Sequence, residues 1–189
     1  MFTTKALFTR ALLALTLLLG ALPAFAGPTY KVAIDTASFS TARYLDLQFI
    51  GLGNAGPATA YVSNLNGAFT GFTPDGNVSG DLSSGFTLGN AGGFNAVTLD
   101  IAPGGLFQFD VRFDGSDVGD GTTFSIGLLD AAWEDLLGAL VRIELMPGTP
   151  DVVDAPAGVD VAAVPEPSDW MLLATGLFLL GVTRRMQRR

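Results

Sequence analysis

The sequence contains no cysteine and no histidine, and these two absences exclude more chemistry than any motif in it adds. Without cysteine there is no disulfide framework, thiolate nucleophile or iron–sulfur cluster. Without an imidazole, a Ser-His-Asp triad has no base and the usual Cys/His zinc sites have no ligands. Only oxygen-ligand cations, chiefly Ca²⁺ or Mg²⁺, remain open to the chain. Charge is scarce as well, at 15% of residues. Long helical patterns are missing, and 24 Gly and 10 Pro punctuate the chain instead. That composition favours short strands joined by tight turns.

What is present is apolar and acidic. The hydrophobic fraction is 49% of 189 residues, enough for one domain with its own core. The formal charge of −8 understates the polarity. Lys5 and Arg10 add +2 at one end, and four arginines against Glu166 and Asp169 add +2 at the other, which leaves −12 for residues 27–164. A domain so negative repels nucleic acid and anionic lipid. It suits a soluble extracellular partner or bound cations.

The N-terminus reads as an export leader. Lys5 and Arg10 form a positive region, Ala11 to Leu22 an apolar one, and Ala24-Phe25-Ala26 a small-x-small cleavage site ahead of Gly27. The apolar run is too short to span a bilayer comfortably and ends at Pro23. Signal peptidase is therefore the first expected partner.

At the other end, Val164-Pro165-Glu166-Pro167-Ser168 precedes an apolar run, Trp170 to Val182, and then Arg184, Arg185, Arg188 and Arg189. The prolines around Glu166 enforce an extended backbone with two fewer N–H donors, a shape an enzyme groove can grip. Trp170 fits the outer interface, the apolar run the hydrocarbon, and the arginines the cytoplasmic side. At 1.5 Å per residue the run covers only about 20 Å of a core roughly 30 Å thick, which makes it a transient anchor. This order of features resembles the PEP-CTERM sorting tail of Gram-negative bacteria. The resemblance implies recognition by an exosortase, transient insertion in the inner membrane, and release to a cell surface rich in polysaccharide and biofilm.

Between the ends, apolar and polar residues alternate. The clearest run is Leu106 to Asp114, where Phe107, Phe109, Val111 and Phe113 oppose Gln108, Asp110, Arg112 and Asp114. Similar alternation at Tyr30–Asp35, Tyr44–Ile50, Thr59–Leu65, Phe86–Leu88, Thr122–Leu129 and Leu140–Met146 predicts an all-β antiparallel sandwich of jelly-roll type. Ala131 to Ala139 is the one expected short helix, with Asp130 as its cap. The resulting organisation is a leader over 1–26, the β-domain over 27–146, a last strand and linker over 147–164, and the sorting tail over 165–189. The β-domain is also similar to a group of PEP-CTERM proteins that share its segments Asp35–Phe39, Tyr44–Phe49 and Gly121–Ser125, a likeness that implies no activity.

Three features look chemical. Gly51-Leu-Gly53-Asn-Ala-Gly56 matches G-x-G-x-x-G after a strand, but Pro57 and another strand follow instead of a helix. No helix N-terminus is left to hold a pyrophosphate, so a glycine-rich hairpin loop is expected. Asp114, Asp117 and Asp120 are candidate Ca²⁺ ligands in a turn-rich loop. Their spacing departs from the EF-hand pattern and equally fits a solvated hairpin turn. Trp133, with Tyr30, Tyr44 and Tyr61, is a candidate sugar-stacking surface, although a lone Trp in an apolar segment is more often core.

The expectation is therefore an exported surface or matrix protein, non-enzymatic, whose β-domain contacts extracellular polysaccharide. The alternatives are a hydrolase using two Asp or Glu residues across a cleft, or a Ca²⁺-dependent carbohydrate-binding module. No catalytic residue is assigned.

Overall fold

In a computed structural model that describes residues 27–115, 118–164 and 174–178, Phe107, Phe109, Val111 and Phe113 are all buried, and Gln108, Asp110 and Arg112 face outward. The alternation in Leu106–Gly115 is thus a two-faced strand with one side in the core. Eleven further strands accompany it: β1 (Thr29–Asp35), β2 (Ala42–Gly51), β3 (Ala58–Asn66), β4 (Phe69–Asp75), β5 (Val78–Asp81), β6 (Gly85–Gly89), β7 (Ala96–Ile101), β9 (Thr122–Asp130), β10 (Asp135–Leu145), β11 (Val152–Asp154) and β12 (Val159–Val164), with Leu106–Gly115 as β8.

They form two antiparallel six-stranded sheets. Sheet A has the order β12-β1-β8-β3-β6-β5, and sheet B the order β11-β10-β9-β2-β7-β4. The sheets share one core, and phenylalanines join them directly. Phe113 of sheet A meets Phe49 and Phe124 of sheet B with ring centroids 5.9 and 5.5 Å apart. Phe69 of sheet B meets Phe107 of sheet A edge-on at 5.1 Å, and Phe72 meets Phe86 at 5.1 Å. The fold is all-β and sandwich-like. Offset and edge-on rings add about 0.5–1.5 kcal/mol per pair beyond their burial.

Three of the four edge strands carry a proline or are very short, as suits an edge. β4 carries Pro74, which is acceptable because only β7 flanks it. β5 and β11 are short, at 4 and 3 residues. The stretch 147–164, expected to be part strand and part linker, contributes outer strands to both sheets.

Two expectations need correction. Ala131–Ala139 is no helix, because a turn at 131–134 leads into β10 from Asp135. Asp130 still caps, but it caps the turn: its Oδ1 accepts the N–H groups of Ala132 at 2.8 Å and Glu134 at 3.1 Å. The loop Gly51–Gly56 is no hairpin, since β2 lies in sheet B and β3 in sheet A. The loop is a crossover between layers.

Strand direction gives the molecule two distinct ends. Thr29 of β1 pairs with Val164 of β12, so the described chain enters and leaves sheet A side by side. The crossovers after Gly51 and Gly115 lie at this same end. Gly27 belongs there too, and a Cβ on it would collide with the carbonyl of Phe113, so only glycine allows this approach. The turn between β9 and β10 lies at the opposite end, roughly 25–30 Å away along a nine-residue strand.

The leader residues Ala24 and Ala26 lie outside the described residues, as do Asp117, Pro165, Glu166, Pro167, Trp170, Arg184, Arg185, Arg188 and Arg189. Residues 174–178 are helical, and no helix among the described residues is long and apolar enough to cross a membrane.

Candidate functional site

On β2, Leu45, Leu47 and Phe49 enter the core, which turns Tyr44, Asp46 and Gln48 onto the outer face of sheet B. The register then sets their neighbours. Tyr44 sits between Leu129 of β9 and Asp100 of β7, while Asp46 sits between Gly127 and Thr98. Gly127 contributes no side chain, so the sheet is low beside Asp46.

Asp46 is nearly buried although it faces outward. Its carboxylate accepts the Thr98 hydroxyl at 2.7 Å and the Gln48 side-chain amide at 2.6 Å. Charge-assisted bonds of this kind hold the charge in place and orient both donors. Among the described residues no buried side-chain nitrogen or oxygen is left without a partner.

The β9–β10 turn delivers the aromatic part. Asp130 pins it through the two amide bonds given above and through Asp130 N–H donating to the Glu134 carbonyl at 3.0 Å. Trp133 occupies a left-handed conformation, φ +63°, that a bulky residue rarely adopts. Its indole stacks on Tyr44, with ring centroids 4.4 Å apart and planes 21° from parallel. It is nonetheless 53% exposed, so Trp133 is not the core residue that its apolar neighbours suggest. The result is an exposed aromatic stack with Asp100 across from Tyr44 and the polar row of Asp46, Thr98 and Gln48 running on along the same face.

The other sequence candidates are elsewhere. Tyr30 is buried, and its hydroxyl donates to Asp151 Oδ2 at 2.6 Å. Burial first, and then the Asp151 carboxylate, push its phenol well above the ordinary tyrosine range. Tyr61 lies on the outer face of sheet A under the Arg112 guanidinium, 4.2 Å from its ring centroid. The four aromatics thus divide between the core and two opposite faces, and only Tyr44 and Trp133 come together.

Asp120 is engaged by the glycine loop, where its Oδ2 accepts the Asn54 N–H at 2.9 Å. Leu52 N–H donates to the Gly121 carbonyl at 3.0 Å, tying the two crossovers to each other. Asn90 completes this end by accepting Ala58 N–H at 2.9 Å and donating to Gly56 at 2.8 Å and Thr122 at 2.9 Å. Asp114 is exposed at the end of β8. Among the described residues no group of three acidic side chains is placed to hold a metal ion.

No protein-family model, curated protein or solved structure matches this chain. The chemistry of the platform therefore rests on its own geometry. Asp46 and Gln48 were legible as partners of Tyr44 from the alternation of β2. Thr98 and Asp100 were not, because β7 went unrecognised as a strand.

Proposed function

We propose that this chain is an exported protein of the Gram-negative cell surface or extracellular matrix, sorted through its PEP-CTERM-like tail, whose β-domain binds extracellular polysaccharide without transforming it. The observation that carries the binding reading is the exposed Trp133–Tyr44 stack beside an ordered polar row. A pyranose presents a C–H face that packs on such a ring, and its hydroxyls match donors and acceptors held at the ring's edge. Preorganisation by Asp130 and Asp46 lowers the entropy lost on binding.

The ends of the domain fit the sorting reading. The described chain enters at Gly27 and leaves at Val164 on one end, so leader and tail attach there. The Trp133 turn is at the other end of the domain. The strand order β1-β8-β3-β6 opposite β2-β7-β4 supports a jelly-roll-like sandwich, because β1 to β4 alternate between the sheets, as do β6 to β9.

A hydrolase would need two carboxylates facing each other across a cleft. Beside the platform, Asp46 already has Thr98 and Gln48 on its oxygens, which favours the binding reading.

The decisive measurement is titration of the full chain with cellohexaose, laminarihexaose and maltohexaose. Trp133→Gly keeps the left-handed backbone and removes the ring, and it should weaken binding by up to about tenfold, the worth of one good stacking contact. Unchanged binding in that variant would refute the site.

A further inference from the structure

We infer that the outer face of sheet A carries a second site for a neutral sugar residue, so that one domain can bridge two polysaccharide strands; the bridging rests on the binding function proposed above.

The site is a depression of about 230 Å³ lined by Lys31, Asn64, Asn66, Gln108, Asp110 and Phe109. Its floor is β8, where Gln108 and Asp110 stand outward while Phe109 points into the core. Lys31 of β1 pairs with Asp110 and forms one wall. Asn64 and Asn66 form the other, at a place where β3 leaves its register with β8 between Ser63 and Asn66. A bulge of this kind re-aims side chains. Ala33, opposite Gln108, leaves the floor open.

Three observations point to a ligand. Asn64 is held at φ +55°, the only non-glycine residue with positive φ among those described besides Trp133. Asparagine adopts this conformation more readily than other side chains, and here it lets the Asn64 amide reach Asp110 Oδ2 at 2.7 Å and fix the wall of the depression. Second, the lining is polar, planar and mixed in charge. Carboxylate, amide and ammonium groups together offer both acceptors and donors to a hydroxyl-bearing ligand. Asp110 and Gln108 keep lone pairs and amide hydrogens beyond the bonds from Asn64 and Asn66. Third, the face gathers scarce positive charge. Residues 27–164 hold four basic residues, Lys31, Arg43, Arg112 and Arg142, and two of them stand here. Arg112 lies over Tyr61 one step along β8 from Asp110, and no ion pair occupies Lys31 or Arg112 among the described residues. The lining of the depression itself carries one ammonium, Lys31, and one carboxylate, Asp110, which suits an uncharged, hydroxyl-rich ligand better than a polyanion.

The test is calorimetric titration of the full chain with the same three hexasaccharides, comparing wild type, Asn64→Gly/Gln108→Ala and Trp133→Gly. Asn64→Gly removes the amide and relaxes the backbone, and unchanged melting temperature shows that the fold is intact. The expected result is two sites per wild-type chain, with one weakened, by up to about tenfold in affinity, in each variant. Wild type should also make long-chain hydroxyethyl cellulose or dextran turbid by cross-linking, and each variant should not. One site per chain that survives Asn64→Gly/Gln108→Ala but disappears in Trp133→Gly would overturn the second site and leave the proposed function standing. The reverse pattern would keep the sheet A site and overturn the Trp133 platform, and binding by neither would overturn both.

Discussion

The indole of Trp133 rests on the ring of Tyr44, so a turn residue in a strained backbone conformation is held by a residue in the middle of sheet B. Stacking and strain act in opposite directions, which separates them by mutation. Trp133→Ala removes the stack and keeps a left-handed non-glycine residue, whereas Trp133→Gly removes both. The glycine variant should therefore be the more stable of the two by about 1 kcal/mol, read from thermal melts. An alanine variant at least as stable would show that the turn carries no strain.

Phe109 is buried and Gln108 beside it faces outward. Phe109→Asp places an unpaired carboxylate among Phe and Val side chains and removes a large ring. The cost, roughly 4 kcal/mol or more, is comparable with the whole stability of a small domain, so this variant should not fold. Gln108→Asp should shift the melt by little. Similar melts for the two would contradict the direction in which β8 faces the core.

The Tyr30 phenol holds its proton more tightly in the folded chain than in the unfolded one, whose value is 10.0. A raised acid of this kind contributes stability that is fully present below pH 10 and is lost as pH rises through the range above it. Wild type should lose stability above pH 10 more steeply than Tyr30→Phe. At neutral pH the same substitution should cost about 1 kcal/mol, the worth of the bond to Asp151. Parallel pH profiles for the two proteins would mean that Tyr30 ionises normally in the fold.

For the tail, recognition and anchoring reside in different residues. Replacing Pro165, Glu166 and Pro167 with alanine should leave export and insertion intact and block processing, so that full-length protein accumulates in the inner membrane. Deleting Trp170 to Arg189 should release a soluble domain. Fractionation with an epitope tag in the exposed β9–β10 turn, in a host that encodes an exosortase, reads both outcomes. Release of the triple alanine variant like wild type would reduce the motif to a linker.

The sequence by itself determined the all-β class, the place of seven strands and the inward face of β8, because period-two alternation records which side of a strand is buried. Phe107, Phe109, Val111 and Phe113 needed no partner to be read. Pairing is different, since it depends on residues far apart in the chain. β4 and β5 carry glycine and proline that locally speak against strands, and they become strands only as edges beside β7 and β6. Ala131–Ala139 has helix-forming composition, but Asp130 satisfies the turn amides and β10 pairs with β9 at Asp135 and again from Ala139 onward, so sheet pairing wins over local propensity. The candidate sites were decided at the same level. Tyr44 with Trp133, Asp46 with Thr98, and Lys31 with Asp110 and Asn64 lie on different strands and meet only when the register of two sheets is fixed.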